Sequence, residues 1–536
     1  MKPLNPLDVK PIRPYYDHIP KYYSTVKPKD KSVIEALENE IKNFRSYNPM
    51  LIDAQTGFGK TTFIMKTCIP EALKHNKNVL ILINRKAVGT QIKKSVLKAI
   101  NSPKCDNYTE KGLREKENFG NVRVVSYQRL PAFLKEEGVA EWCNNLMFLI
   151  CDEIHFVVAD SLFNVMTTYI LNLITSRFCS AIRIYMTATS DDILYPLAEA
   201  EENNHLKVVG YQEFDQMFIR YYFKRDFKPY ILDFFEELGQ IPELIKKNEN
   251  EKWIIFIDKK SDAEYLKECL NGECDYVDAD CKNTLTWEQI VLEERFESKV
   301  LITTSVLDNG VNIKDDDVKN IVIISDSKTD FLQMLGRKRL KKNEVVKVWA
   351  YDMNITQARN RLNNYRELLN WFELFKTYNA NNHLDKFINI LWHEKDVRLC
   401  SLFELTGNTI YPNWNAHWYL LRKEHFLSGI VEKKTTFREE VAKWINKFLD
   451  EDSGEEILEE FCQKHCNSCL SEEDCSTLRE LIIKTCKEQG YTEAQPSRRK
   501  SLGYNALNNR LERLNLEYRI EKSTKNWILK NINEST

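Results

Sequence analysis

The chain has no apolar run approaching the roughly 20 residues needed to cross a bilayer. Its first residues, Met1-Lys2-Pro3-Leu4-Asn5-Pro6, lack the apolar core that a secretory leader requires. We therefore expect a cytoplasmic protein with no membrane partner. An excess of one charge is also missing. The sequence carries 77 basic and 79 acidic residues, for a formal net charge of −2. This excludes a globally basic nucleic-acid binder and leaves room for a local basic groove. Most of the 14 cysteines are scattered, as expected of core residues and free thiols in a reducing compartment. No internal repeat, low-complexity tract, or nuclease, methyltransferase or protease motif is visible.

With 536 residues, of which 43% are hydrophobic and 29% charged, the chain has the composition of a globular protein. It is also too long for one core. Domains usually hold roughly 100 to 200 residues, which predicts three or four. Short apolar runs at 79–83, 146–150, 253–257, 300–302 and 321–324 predict buried parallel strands. Longer amphipathic stretches lie between them, and this alternation predicts an α/β fold with each sheet covered on both faces. The runs fall into two groups, 30–215 and 216–358, after an N-terminal extension at 1–29. From 359 onward Asn, Trp, Leu, Glu and Lys recur at helical spacing. We read 359–475 as a mainly helical accessory region and 476–536 as a final module.

Two patterns carry chemistry. The first is Ala54-Gln55-Thr56-Gly57-Phe58-Gly59-Lys60-Thr61-Thr62, which follows a strand ending at Leu51-Ile52. Its glycines let the backbone wrap a phosphate with N–H groups, and the next helix points its positive end at the anion. Thr56, Gly57, Gly59, Lys60, Thr61 and Thr62 are thus candidate nucleotide ligands. Lys60 reaches the outer phosphates and Thr61 supplies a hydroxyl to Mg²⁺. The second pattern is Asp152-Glu153-Ile154-His155, delivered by strand 146–150 to the edge where open α/β sheets bind ligands. Asp152 is placed to hold Mg²⁺ and Glu153 to polarise an attacking water. Together the two patterns imply hydrolysis of a nucleoside triphosphate.

With these residues in place, the chain resembles the superfamily 2 helicases and translocases of the DExH type. Further motifs follow in the family's order. Asn84-Arg85-Lys86-Ala87 stands where the family has its first nucleic-acid motif, and the run Val124 to Leu130, including Gln128 and Arg129, resembles the next. Tyr185-Met186-Thr187-Ala188-Thr189 resembles the motif linking hydrolysis to nucleic-acid binding. Thr304 to Asn312, including Gly310, reproduces the family's Thr, Gly and Asn/Asp spacing. Gln333-Met334-Leu335-Gly336-Arg337-Lys338-Arg339 resembles its sixth motif. The match spans roughly residues 45 to 350.

The resemblance implies two tandem RecA-like lobes with parallel sheets and ATP between them. It implies that Gln333 meets the attacking water and that Arg337 acts as an arginine finger on the γ-phosphate. His155, Thr187 and Thr189 would couple the lobes. Asn84, Arg85, Gln128, Arg129 and Thr304 would contact nucleic acid, and Gly310 the nucleotide. The sequence departs from the family twice. The usual Gly-Arg-x-x-Arg ends here in Leu340, with Arg339 one residue early, a shorter form found in some members. The adenine-specifying Gln motif is missing, and Tyr16, Tyr22, Tyr23 and Phe44 are the aromatic residues available to stack a base.

In the last third, Cys462, Cys466, Cys469 and Cys475 fall within fourteen residues. They read either as four thiolate ligands for Zn²⁺ or an iron–sulfur cluster, or as free thiols. Two short strands near 518–522 and 526–530, after helices and the basic Arg498-Arg499-Lys500, read either as a winged-helix-like module gripping a duplex or as a helical cap with a solvated basic face.

The reading that follows is an ATP- and Mg²⁺-dependent helicase or translocase. The Thr-Ala-Thr form favours DNA over RNA as its partner. The alternatives are an RNA helicase, or a motor subunit that remodels protein partners in a defence, restriction or replication complex.

Overall fold

The computed structural model describes residues 23–28, 31–55, 57–84, 86–100, 110–208, 218–223, 229–248, 250–278, 284–304, 312–341, 344–394, 396–406, 409–446, 454–488, 503–514, 516, 518–522 and 527–531. The chain divides into two units, residues 1–448 and 449–536.

The larger unit holds two sheets. The first contains eight described strands: Tyr23–Val26 (β1), Met50–Asp53 (β2), Asn78–Ile83 (β3), Asn118–Phe119 (β4), Val122–Ser126 (β5), Leu146–Cys151 (β6), Ile182–Thr187 (β7) and Phe218–Tyr222 (β8). Their order is β1-β8-β2-β7-β6-β3-β5-β4, and every pair is parallel except β4–β5 at one edge. All six residues of β3 are buried, as expected of a strand with helices on both faces. Two apolar clusters flank this sheet. One gathers Ile52, Phe63, Ile81 and Ile150 and the other Leu80, Leu149, Phe156 and Tyr185.

This strand order concentrates chemistry. β2 lies beside β7 with Asp53 opposite Thr187, and β7 lies beside β6 with Tyr185 opposite Cys151. The segments after β2, β6 and β7 are far apart in sequence. They therefore emerge side by side at the carboxyl edge, where parallel sheets bind ligands.

The second sheet contains Tyr230–Phe235 (β9), Lys252–Phe256 (β10), Asp275–Val277 (β11), Val300–Thr303 (β12), Val318–Ile323 (β13) and Val346–Tyr351 (β14). It runs β11-β12-β10-β13-β14-β9, with every pair parallel. Its two faces are closed by clusters around Ile254, Leu301 and Phe331 on one side and Trp253, Ile255 and Val322 on the other.

Helices follow. Ile355–Ala380 begins at an Asn354–Gln357 capping box. Leu384–His393, a hairpin of Phe403–Thr406 (β15) and Thr409–Pro412 (β16), Trp414–Val431 and Phe437–Asn446 complete the unit. Helix Trp414–Val431 touches both lobes. Its Trp418 lies in a first-lobe cluster, and its Leu427 and Ile430 lie in the second-lobe core. Among the described residues no helix is long and apolar enough to cross a membrane.

The smaller unit has described helices Gly454–Lys464, Glu472–Glu488 and Tyr504–Arg513 and strands Cys469–Leu470 (β17), Tyr518–Lys522 (β18) and Trp527–Asn531 (β19). The strands form an antiparallel sheet in the order β17-β19-β18. Asn508 grips the sheet edge, donating to Ile520 O at 2.9 Å and accepting from Ile520 N at 2.7 Å.

Of the two readings of the cysteine cluster, this architecture lends no support to the metal one. Cys462 is fully buried among Leu458, Leu478 and Leu511, and burial pushes its thiol up to about 12. Cys469 is exposed while Leu470 turns inward, as strand alternation requires. No group of three or more His, Cys, Asp or Glu residues that could hold a metal exists among the described residues. Cys462 faces the core from a helix, Cys466 sits in a bridge beside Leu529, Cys469 lies on a strand's outer face and Cys475 on the next helix, so Zn²⁺ and iron–sulfur ligation find no support among the described residues. The basic run 498–500 lies outside the described residues.

Candidate active site

The phosphate loop is built on a fixed base. Asp53, at the end of β2, is fully buried. It accepts from the Ser190 hydroxyl and pairs with the Arg220 guanidinium of β8. The chain then turns through Gly57 at φ 96° and Gly59 at φ 88°. At Gly59 a Cβ would meet no atom closer than Ser32 Cβ at 3.9 Å. The glycine is therefore required by its left-handed backbone and not by lack of space. Lys60 opens the following helix, and its Nζ donates to Ala54 O at 2.6 Å. Thr61 and Thr62 lie in the same first turn. Residues Ile64–Cys68 widen into a π turn before Pro70, whose ring supplies no N–H for α-helical pairing.

The acid pair leaves β6 at Cys151. Asp152 N donates to Leu82 O at 2.9 Å and Ile154 N to Met186 O at 3.0 Å, stitching the segment to both neighbouring strands. Glu153 sits at φ 50°. A non-glycine residue there costs of order 1 kcal/mol or more, a cost typical of functional sites. Tyr127 OH donates to Asp152 O at 2.8 Å, and the Tyr127 ring stacks on Phe156 at 5.1 Å. Burial and the neighbouring Glu153 charge push the Asp152 carboxyl up. Burial acts the same way on Glu153, but the Lys60 charge, helped by the neighbouring His155 and by the Arg337 charge, outweighs it and holds Glu153 low.

His155 is 2% exposed and joins both lobes. Its Nδ1 lies 2.8 Å from Thr187 Oγ1 and 3.3 Å from Glu153 Oε2, and its Nε2 meets the Gln333 amide nitrogen. One proton assignment satisfies all of these contacts. The Gln333 N–H donates to Nε2, and Nδ1–H donates to Thr187 with the Glu153 carboxylate beside it. Thr187 Oγ1 also accepts from Thr189 N at 2.9 Å.

A cleft of about 360 Å³ gathers these groups. The first lobe lines it with Gly57, Gly59, Lys60, Thr61, Thr62, Asp152, Glu153 and His155, and the second lobe with Gln333, Arg337 and Arg339. The short sixth motif is explained by its backbone. Ile313 N donates to Arg337 O at 2.8 Å and Arg339 N to Ile313 O at 2.8 Å, an isolated parallel bridge that keeps 337–339 extended. With a side-chain period of two, Arg337 and Arg339 both face the cleft. Lys338 turns the other way, 2% exposed, onto Glu344 at 2.9 Å.

The remaining candidates are distributed differently. Asn84 lines the cleft and lies 3.5 Å from the exposed Gln128. Arg129 is paired with Glu117 at 3.2 Å and with Glu136. Thr304 follows β12 and donates its N–H to Val277 O at 3.4 Å. Thr56, Arg85 and Gly310 lie outside the described residues, as do Tyr16 and Tyr22. Sequence reasoning missed Gln91, Ile92 and Ser95 and gave Asn312 only as the end of the Thr304 to Asn312 run; all four also line the cleft. Gln91 and Ser95 are one helical turn apart, which was their only sequence signal.

Residues 24–192 match the family model described as the res subunit of a type III restriction enzyme, and residues 236–339 match the helicase conserved C-terminal domain. No curated protein matches the chain. Among solved structures it is similar to S. cerevisiae Dbp5 bound to RNA and ADP BeF3, with 17% identity, 60% of this chain and 84% of that chain covered, and a TM-score of 0.42. It is also similar to the DUF1998 helicase MrfA bound to DNA and AMPPNP, with 14% identity, 60% and 48% covered, and a TM-score of 0.44. The DEAD-box helicase Mss116 bound to ssRNA and UDP-BeF matches with 12% identity, 75% and 94% covered, and a TM-score of 0.43. The two matched families fall one on each parallel sheet, with the phosphate loop, the acid pair and the arginines in the cleft between. These are tandem RecA-like domains that use ATP and Mg²⁺, and the chain belongs to the superfamily 2 helicases, ATP-hydrolysing proteins that act on nucleic acid.

Proposed function

We propose that this is a DExH-type motor that couples ATP hydrolysis to movement on, or unwinding of, DNA. One observation carries the reading. A single cleft joins Lys60, Asp152 and Glu153 of the first lobe to Gln333, Arg337 and Arg339 of the second.

In this reading the N–H groups around Gly57 and Gly59 cradle the phosphates and Lys60 neutralises the outer ones. Thr61 and Asp152 supply a hydroxyl and a carboxylate to the same cavity, a donor set that fits a hard divalent cation. When held there, Mg²⁺ would supply positive charge to offset that of the phosphates. Glu153, kept ionised by its cationic neighbours, accepts a proton from the attacking water. Arg337 stabilises charge spread over the transferring phosphoryl oxygens, Arg339 assists from the same face, and Gln333 orients the water. His155, Thr187 and Thr189 report the state of the acid pair to the second lobe. Asn84, Arg85, Gln128, Arg129 and Thr304 are proposed to track the strand, and Gly310 to serve the nucleotide. The lobes correspond to residues 30–215 and 216–358, followed by the accessory region, expected over 359–475 and here ending near 448, where the smaller unit begins. The helix–strand–helix–helix–strand–strand order of the final unit supports a winged-helix-like duplex grip there. A site of action in the cytoplasm is part of the same proposal.

The Thr-Ala-Thr motif and the restriction-enzyme description of the first-lobe family support DNA as the track. The word subunit in that description supports a second reading, a motor that remodels protein partners within an assembly. The deciding experiment is ATP turnover by the full chain with single- and double-stranded DNA and RNA. DNA should raise turnover about tenfold or more. Stimulation by RNA alone would make the chain an RNA helicase, and stimulation by none would favour the partner-dependent motor.

A further inference from the structure

One junction lies outside the motifs and touches three parts of the larger unit. Asp192 ends the turn Ser190–Asp192 that follows Thr189. Its Oδ2 accepts from Thr329 Oγ1 at 2.7 Å, across the lobe interface. Its Oδ1 pairs with Arg422 Nε at 2.9 Å, and its backbone O accepts from Trp418 Nε1 at 2.8 Å. Arg422 and Trp418 both belong to helix Trp414–Val431. The neighbouring Asp191 pairs with Lys328 of the second lobe.

The partners of Asp192 give it a role. Thr329 and Gln333 stand four residues apart on helix Lys328–Leu335, so they share a face one turn apart. Gripping Thr329 fixes the rotation of that face toward the first lobe, where Gln333 meets His155. The circuit closes through His155, Thr187, Thr189 and the turn back to Asp192. Arg337 follows the same helix by two residues. The accessory helix is anchored beside this circuit at its start and at its middle. Its N-cap Asn413, 1% exposed, bonds Thr167 and Thr168 of the first lobe at 3.0 and 2.9 Å. Midway along it, Lys423 donates to Asp326 O of the second lobe at 3.0 Å.

We infer that Asp192 is a positioning residue for ATP hydrolysis, fastening the helix that carries Gln333 and the accessory helix Trp414–Val431 to the end of the Thr-Ala-Thr segment. The inference rests on the cleft reading above. Asp192 would not touch ATP, so its loss should leave binding intact and slow the chemical step.

The test is steady-state ATP turnover by the full chain for Asp192→Ala, Thr329→Val, their double variant and Arg422→Gln, with Lys60→Ala measured beside them. Asp192→Ala should lower kcat about tenfold while KM for ATP moves less than about threefold. The near-isosteric Thr329→Val should reproduce most of that loss, and the double variant should add little to either. Asp192→Asn, which keeps an acceptor for Thr329, should recover part of the rate. Arg422→Gln should lower kcat by a smaller factor. Circular dichroism verifies folding in each case. A folded Asp192→Ala or Thr329→Val with wild-type kcat would overturn the inference, as would losses that multiply in the double variant. Wild-type kcat in Arg422→Gln would overturn the accessory-helix arm. Normal turnover in Lys60→Ala would instead sink the cleft reading, so the two failures are distinguishable.

Discussion

The ATP cleft and the aromatic heart of the accessory region are built from opposite materials. The cleft holds charges, a left-handed Glu153 and a cavity of about 360 Å³. In the accessory region, Phe372 lies 5.1 Å from Phe403, 5.9 Å from Trp414 and 4.8 Å from His417. There even the histidine is packed as a ring. Burial, with Lys376 nearby, pushes His417 down to about 3, so it is neutral. The cleft accepts strain and like charges because its groups must meet a phosphate. The aromatic cluster has only neighbouring side chains to satisfy. Function should therefore fail first in the cleft and stability first in the accessory region.

The largest expected effect is in the cleft. Lys60→Ala and Glu153→Gln should each cut ATP turnover by at least about a hundredfold, with thermal melting close to that of the parent protein. A large loss of stability in either would blur the contrast. Phe372→Ala should do the reverse, destabilising by about 3–5 kcal/mol in denaturant melts while kcat per folded molecule is retained. A smaller effect concerns pH. The unfolded chain protonates His417 near 6.5, whereas the folded chain resists until about 3. Its contribution is thus fully present above pH 6.5 and lost as pH falls, by up to about 1.4 kcal/mol per pH unit. His417→Gln should flatten that part of the stability–pH curve, and an unchanged slope would show that other groups dominate. Smallest of all, Cys466→Ser should leave metal content and turnover at parent values by elemental analysis and ATPase assay. Loss of bound zinc or iron would restore the metal site.

Legibility in the sequence follows the same divide. The continuous apolar runs correspond to β3, β6, β10, β12 and β13, because strands buried on both faces carry no polar alternation. The edge strand β9 alternates between half-buried and exposed residues along most of its length, so no apolar run marks it. The glycines and acids of the cleft could be read because few residue types tolerate a left-handed turn or serve a phosphate. Arg339 needed the backbone, since only the bridge to Ile313 shows why a two-residue spacing works. The four cysteines could be read two ways because proximity in sequence says nothing about which face a thiol occupies. Asp192 and Asn413 were silent because their partners lie far away in the chain. Thr329 is 137 residues beyond Asp192, and no local pattern encodes that contact.

The central claim is that the second lobe completes the catalytic cleft. Turnover and ATP affinity measured on Arg337→Ala test it most directly. The account predicts a fall in kcat of about a thousandfold, with the Kd for ATP within about threefold of the parent protein. Parent-level turnover in a folded Arg337→Ala protein would contradict it.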